Sequence, residues 1–223
     1  MRAIQNAGGH VGLTAREYPV AAAGSLRRGQ VVQLSGGKVI SAAAAQTAAI
    51  LGVAAETHSG EADMLNARSN GESILVYDNP GLIFECPAPE VKAAASTATT
   101  VVAASGQLAA GLADDSLNGG VLELVRKAAG STNTDVPGAR REITDYTAST
   151  LTCTVADGGS ACAGDVFRLY PPVGFAACGL GGSFFDKAVV SATGATAIKV
   201  VGRDMDRGMI RLMAAVHALG TEE

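Results

Sequence analysis

From Arg28 onward the chain is a series of short β-branched or apolar runs punctuated by glycine, proline and asparagine. Gln30-Val-Val-Gln-Leu34 and Val39-Ile40 flank Ser35-Gly-Gly-Lys38, the pattern of a hairpin closed by a Gly-Gly turn. Ile50 to Ala54 reads as a buried strand. Ser73 to Tyr77 reads as another, closed by Asp78-Asn-Pro-Gly81, a strong turn signal. Leu82 to Cys86 is a third, stopped by Pro87 and Pro89. Glu90 to Ala95 permits a helix, which the β-branched run Thr99 to Val102 does not continue. Val121 to Ala128 fits a strand or one short helix.

The later part repeats the β pattern. Leu151 to Val155 alternates apolar residues with Thr, the period of a half-buried strand. Asp165 to Tyr170 ends at Pro171-Pro172, and Ala188 to Val190 and Ala197 to Val201 read as strands. Met209 to Val216 reads as a strand, with a helix as the other reading. Ala42 to Ala49 is expected to be a short loop or turn, eight residues being few for an isolated helix. The predicted architecture is mainly β, built from small sandwich or partly open barrel units, with little helix. Residues 1–24 form an extended N-terminal arm, residues 25–129 an N-terminal β domain and residues 143–223 a C-terminal β domain. Residues 130–142 link them, because Gly130 to Gly138 (GSTNTDVPG) is the clearest loop in the chain.

The two halves echo each other. Gly29 to Leu34 resembles Gly164 to Leu169, Ala49 to Glu56 resembles Ala197 to Asp204, and Gly71 and Gly208 each open a β run. Duplication of a small β unit and chance similarity among Gly/Val/Ala-rich strands both account for it.

Composition changes the picture in one respect. The 223 residues include 28 Gly and 42 Ala, against 4% aromatic and 17% charged residues. Alanine buries little area, so stability is expected to lean on backbone ladders, tight packing or partner chains. The net charge of -4 and the lack of any Lys/Arg run longer than two argue against a nucleic-acid binder. No apolar run reaches the length of a membrane-spanning helix, and the start lacks the pattern of an export signal. Synthesis in the cytoplasm, without membrane association, is the expectation.

Local motifs for chemistry are sparse. His10, His58 and His217 show no metal-ligand spacing with each other or with cysteine. Cys86, Cys153, Cys162 and Cys178 have no CxxC spacing and read as free thiols, with Cys153 and Cys162, which flank an Asp-Gly-Gly turn, as the pair to check. Cys178-Gly-Leu-Gly-Gly-Ser183 has Phe184 where a dinucleotide fingerprint needs its third glycine, and reads as a tight turn. Asp114-Asp115 and Asp204-x-Asp206 read as solvated loop acids, the second balanced by Arg203 and Arg207. No metal, cofactor or catalytic residue is expected.

The order from Gly24 to Phe84 carries a resemblance. Leu26, Gly29-x-Val-Val-x-Leu34, Gly-Gly-Lys-Val39, an Ala/Thr tract, Ile50-Leu-Gly-Val53, Gly71 with a run to Tyr77, Asp78-Asn-Pro80 and Leu82-Ile-Phe84 follow in turn. This is similar to the head decoration (cement) proteins of tailed bacteriophages, and more broadly to the compact β-tulip structural proteins of phages. The resemblance covers about a quarter to a third of the chain.

It implies a non-enzymatic virion component on the outer capsid surface, bound to the major capsid protein and stabilising the expanded head against internal DNA pressure. It also implies homo-oligomers, a trimer favoured over a dimer. In that family N-terminal arms are often ordered by the capsid protein through strand addition. Residues 1–18 would take that role, and Arg2, His10, Arg16 and Tyr18 are the capsid-contact candidates, by position alone. The alternatives are another virion part (minor capsid, head-fibre or tail protein) or a glycan-binding surface β-sandwich. An enzyme built around His217 is the third.

Overall fold

The computed structural model describes residues 2–6, 14–21, 25–42, 49–58, 73–108, 112–156, 163–175, 178–181, 187–190, 198–215 and 217–219. In chain order its strands begin with β1 (Arg2–Asn6), β2 (Ala15–Pro19), β3 (Val31–Ser35), β4 (Lys38–Ser41), β5 (Ile50–Ala54), β6 (Ser73–Tyr77) and β7 (Leu82–Pro87). Next come β8 (Glu90–Ser96), β9 (Thr100–Ala103), β10 (Val121–Arg126), β11 (Arg140–Thr147), β12 (Thr152–Val155) and β13 (Val166–Tyr170). The last four are β14 (Cys178–Gly181), β15 (Lys187–Val190), β16 (Ile198–Asp204) and β17 (Met209–Ala214). A single 3-10 turn, Ala148–Thr150, is the sole helical element among the described residues, so the mainly β expectation holds.

Every strand pairing is antiparallel, and the strands form three larger units and one hairpin. The first unit is a five-stranded sheet in the order β2-β6-β5-β3-β4. Its β3–β4 turn places Gly36 and Gly37 at φ +57° and +75°, the two positive values a tight hairpin turn of this hand requires. The sheet curls: Val20 bridges Val39, and the Ala21 amide donates to the Val39 carbonyl at 3.2 Å, bringing its two edges together. Val20, Leu26, Val32, Val39, Leu51, Ala54, Ile74 and Val76 fill the inside. This is the partly open barrel that the pattern predicts.

The second unit is a closed six-stranded barrel, β10-β11-β12-β9-β8-β13. A barrel's diameter grows with strand number, and eight strands leave just enough room for side chains. Six leave less, and the inward positions of β8 and β9 are correspondingly small: Val91 and Ala93, Val101 and Ala103. The helix permitted over Glu90 to Ala95 is therefore a strand. Alanine's helix preference is worth only a few tenths of a kcal/mol per residue, less than the ladders β8 makes with β9 and β13.

The barrel takes strands from both sides of residues 130–142, so strand pairing does not divide the chain there. Residues 140–142 belong to β11 itself. The loop before it is pinned by Asp165, which is fully buried. Its Oδ1 accepts the Ala128 amide at 2.8 Å, and its Oδ2 accepts Ser131 Oγ at 3.1 Å and Asn133 Nδ2 at 3.0 Å. Lys127 Nζ donates to the Asn133 carbonyl at 2.8 Å, and Asp135 pairs with Arg141 through both oxygens. A buried carboxylate held by several donors is stable as an anchor; the loop's composition is that of a linker, its hydrogen bonding that of a fixed element.

The third unit is the sheet β1-β7-β17-β16, which joins strands from both ends of the chain. Two parts of the N-terminal arm are thus paired within the chain, Arg2–Asn6 on β7 and Ala15–Pro19 on β6, instead of waiting for a partner. Phe84, Cys86, Val200, Ile210 and Leu212 share one continuous core with the barrel. Met209–Ala214 is a strand, not a helix, and Cys178–Gly181 is a strand paired with β15 instead of a turn. The expected loop at Ala42 to Ala49 lies mostly outside the described residues. The echo does not extend to topology: β3, β5 and β6 share one sheet, whereas β13 lies in the barrel and β16 and β17 in the third unit.

Candidate functional site

Alternation along β2 puts Arg16 and Tyr18 on one face, opposite Val76 and Ile74 of β6. The chain leaves β6 at Tyr77, and the next residue, Asp78, is 3% exposed. Tyr18 donates its hydroxyl proton to Asp78 Oδ2, and Arg16 Nε lies 3.7 Å from the same oxygen. Two of the four capsid-contact candidates therefore converge on one buried carboxylate. The side chain of Arg16 is 68% exposed, while Tyr18 is half-buried and its hydroxyl is engaged. Arg2 lies in β1, in register with Glu85, on a different sheet. His10 lies outside the described residues.

Asp78 is positioned by backbone. Asn79 Oδ1 accepts the Gly81 amide at 2.8 Å and the Asn79 carbonyl accepts the Leu82 amide at 2.9 Å, fixing the turn into β7. Gly52 on β5 is the other determinant. A Cβ there would sit 1.9 Å from the Tyr77 carbonyl oxygen, so only glycine lets β5 pass the end of β6 this closely.

His217 comes to the same place from the far end of the chain. It bridges Ile50, the Ala218 amide donates to the Ile50 carbonyl at 2.8 Å, and the ring is 6% exposed. His217 Nδ1 accepts the Leu219 amide at 3.1 Å, which leaves the proton of the neutral ring on Nε2. Nε2 is buried with no partner at hydrogen-bond geometry.

The electrostatics follow from burial. Tyr18 is pushed up to about 12, first by burial and then by its hydrogen bond to Asp78, so it stays a protonated donor. His217 is lowered by burial, against the smaller opposing pull of the Leu51 carbonyl and the Asp78 charge. While the segment is docked, Nδ1 accepts the Leu219 amide and Nε2 carries the ring proton, so neither nitrogen presents a free lone pair. The cluster can hold strands and present a guanidinium; it is not arranged to transfer protons.

The other acidic pairs are placed as follows. Asp114 Oδ1 accepts the Ala148 amide at 2.7 Å, and Asp115 Oδ1 accepts Asn118 Nδ2 at 2.9 Å. Asp204 lies 3.5 Å from Arg207 and 3.7 Å from Arg211, whereas Asp206 pairs with Arg140 at 3.1 Å. Arg203 does not balance them; it donates to the Gly119 carbonyl at 3.0 Å. Sequence reasoning missed Glu123, which lies on β10 at the seam between the barrel and the β16–β17 turn. Tyr170 donates to it at 2.7 Å, and Arg140 and Arg168 each stand 3.5 Å away. The approach of Arg168 is close enough that a Cβ at Gly208 would lie 2.8 Å from its Nη1. Asp78 was legible only as a turn residue.

Cys86 and Cys153 are buried, and burial pushes the Cys153 thiol up to about 12. Cys162 lies outside the described residues. Among the described residues no group of three His, Cys, Asp or Glu side chains is placed to hold a metal ion, and no helix is long and apolar enough to cross a membrane. No family model matches the chain, and no curated protein or solved structure matches it either.

Proposed function

We propose that this chain is a non-enzymatic decoration protein of a tailed-phage head. In this reading it binds the major capsid protein on the outer surface of the expanded shell, acts as a homo-oligomer, with a trimer favoured, and reinforces the shell against internal DNA pressure. One observation carries the reading. Strands β3 to β6 of the segment whose residue order resembles that family, Gly24 to Phe84, fold with β2 into a curled sheet that encloses a core of its own, while Leu82 to Phe84 lies on β7 of the third unit. A small β unit of this kind can act as a peg on a larger assembly without supplying any reactive group. The hydrogen bond that His217 Nδ1 accepts from the Leu219 amide weighs against the enzyme alternative.

The capsid-facing surface is then the exposed part of β2 around Arg16. Arg16 presents its guanidinium there, and Tyr18 acts as a positioning residue through Asp78. Strand donation by residues 2–6 or 15–19 would first require breaking their pairing within the chain. The test mixes purified protein with expanded heads stripped of decoration. Saturable binding, a higher shell rupture temperature, and weaker binding by Arg16→Ala with unchanged folding are expected. Absence of saturable binding, or no gain in shell stability, overturns the proposal.

A further inference from the structure

We propose that residues 217–219 form an acid-released plug in a split between β5 and β6, with His217 as the side chain that senses the proton. The split is visible in the register. β6 pairs with β5 only at Val53–Tyr77 and Ala54–Val76, so Ile50 to Gly52 have no partner on β6. On their other side β3 is in place, with Gln33 opposite Ile50 and Val32 opposite Gly52. The free side of Ile50 is taken by the chain's last described segment, through the His217 bridge and the Ala218 amide. Ala218 packs on the core of the curled sheet, so the plug closes the apolar interior as well as the strand edge.

The proton sensitivity comes from the hydrogen bonding of the ring. A neutral imidazole accepts at Nδ1 from the Leu219 amide. Protonation places a second N–H on Nδ1, so that two donors face each other at 3.1 Å. It also puts a charge on a ring that is 6% exposed and whose Nε2 has no partner. The titratable groups facing the ring, among the described residues, are Asp78 at the end of β6 and, through it, Tyr18 and Arg16 of β2. Ile50 and Leu51 of β5 bring no titratable side chain. Asp78 favours the imidazolium, but its charge is already shared with Tyr18 and Arg16, and burial outweighs it.

The direction follows. The docked ring holds its proton less well than a free imidazole does, so docking is fully stable above the ordinary imidazole range and weakens as pH falls below it. The opening constant of the plug then rises by up to about tenfold per pH unit in that window.

The test is hydrogen exchange of the intact protein from about pH 8 to pH 5, corrected for the intrinsic pH dependence. Protection of the Ala218 amide and of Ile50 to Gly52 should fall with acid while the barrel strands stay protected. Protection that does not change with pH overturns the proposal. His217→Gln, which keeps an acceptor for Leu219 but cannot gain a charge, should flatten the response; an unchanged response places the sensor elsewhere. An NMR titration of His217 in the natural chain serves if that variant does not fold. A neutral ring protonated on Nε2, titrating below a free imidazole, is expected. A ring protonated on Nδ1, or one titrating at or above a free imidazole, overturns it.

Discussion

The six-stranded barrel and the curled five-stranded sheet are built from the same small residues, yet they close differently. In the barrel each strand has a neighbour on both sides, and the last pairing, β13 with β10, runs over five positions from Val121–Tyr170 to Arg126–Val166. The five-stranded sheet is closed by one bridge at Val20–Val39 and is split between β5 and β6, where two residue pairs hold. The barrel shares one core with the β1-β7-β17-β16 sheet; the curled sheet adds Val31, Ile50 and Val53 to that core from one face and encloses a second, smaller one with the other. Complete closure spreads a perturbation over the whole unit. Partial closure lets one seam open while the rest stays folded.

Substitutions can break that contrast. The largest effect is expected from Leu169→Ala, which removes a fully buried side chain from the barrel. It should cost about 4 kcal/mol and lower the midpoint of the main denaturant transition. A loss below about 1 kcal/mol would mean that the barrel is not the stability-determining unit. Gly52→Ala comes next. Its Cβ would meet the Tyr77 carbonyl at 1.9 Å, so the β5–β6 seam must part, at a cost of about 3 kcal/mol. Hydrogen exchange should quicken in β2, β5 and β6 and stay unchanged in β8 to β13; uniform loss of protection would refute two separately closing units.

The smallest effect appears only in alkali. Burial pushes Tyr18, Tyr146 and Tyr170 each up to about 12, from 10.0. Raised folded values mean that stability is complete below 10.0 and is lost as pH rises toward about 12. Two of these phenols belong to the barrel, Tyr146 paired across strands with Cys153 and Tyr170 bonded to Glu123, and one to the curled sheet. Tyr18→Phe should therefore remove the alkaline loss from exchange at β2 and leave that of the barrel. An identical profile for the variant would show that Tyr18 does not report on its own sheet.

Much of the strand content was legible because β-branched runs and glycine turns are local signals. Gln30–Leu34, Ile50–Ala54 and Ser73–Tyr77 needed no tertiary information. Sheet membership was not legible, since period-two alternation tells which face a residue takes and not which strand lies beside it. That is why β7 could not be assigned away from β6, nor β13 away from β16. The 130–142 segment misled because Ser, Thr, Asn, Pro and Gly compose fixed and loose loops alike; the deciding residue, Asp165, lies some thirty positions away. At the site, Arg16 and Tyr18 were chosen by position. Nothing local to them announces Asp78 or His217, which arrive through β6 pairing and from the far end of the chain.

The pairing of β7 with β17 sets an order of events during biosynthesis. β7 ends at Pro87 and its partner begins at Met209, so translation at ~10 residues per second keeps one long edge of β7 waiting for on the order of ten seconds. The barrel strands, from Glu90 to Tyr170, are all synthesised within that interval. Nascent chains arrested far enough past residue 170 for β13 to clear the exit tunnel should carry a protease-resistant barrel beside a β7 that is still cleavable. Full-length chains should protect both. The strands of the curled sheet, which end at Tyr77, and then those of the barrel are all made before the sheet that joins the two ends can be completed.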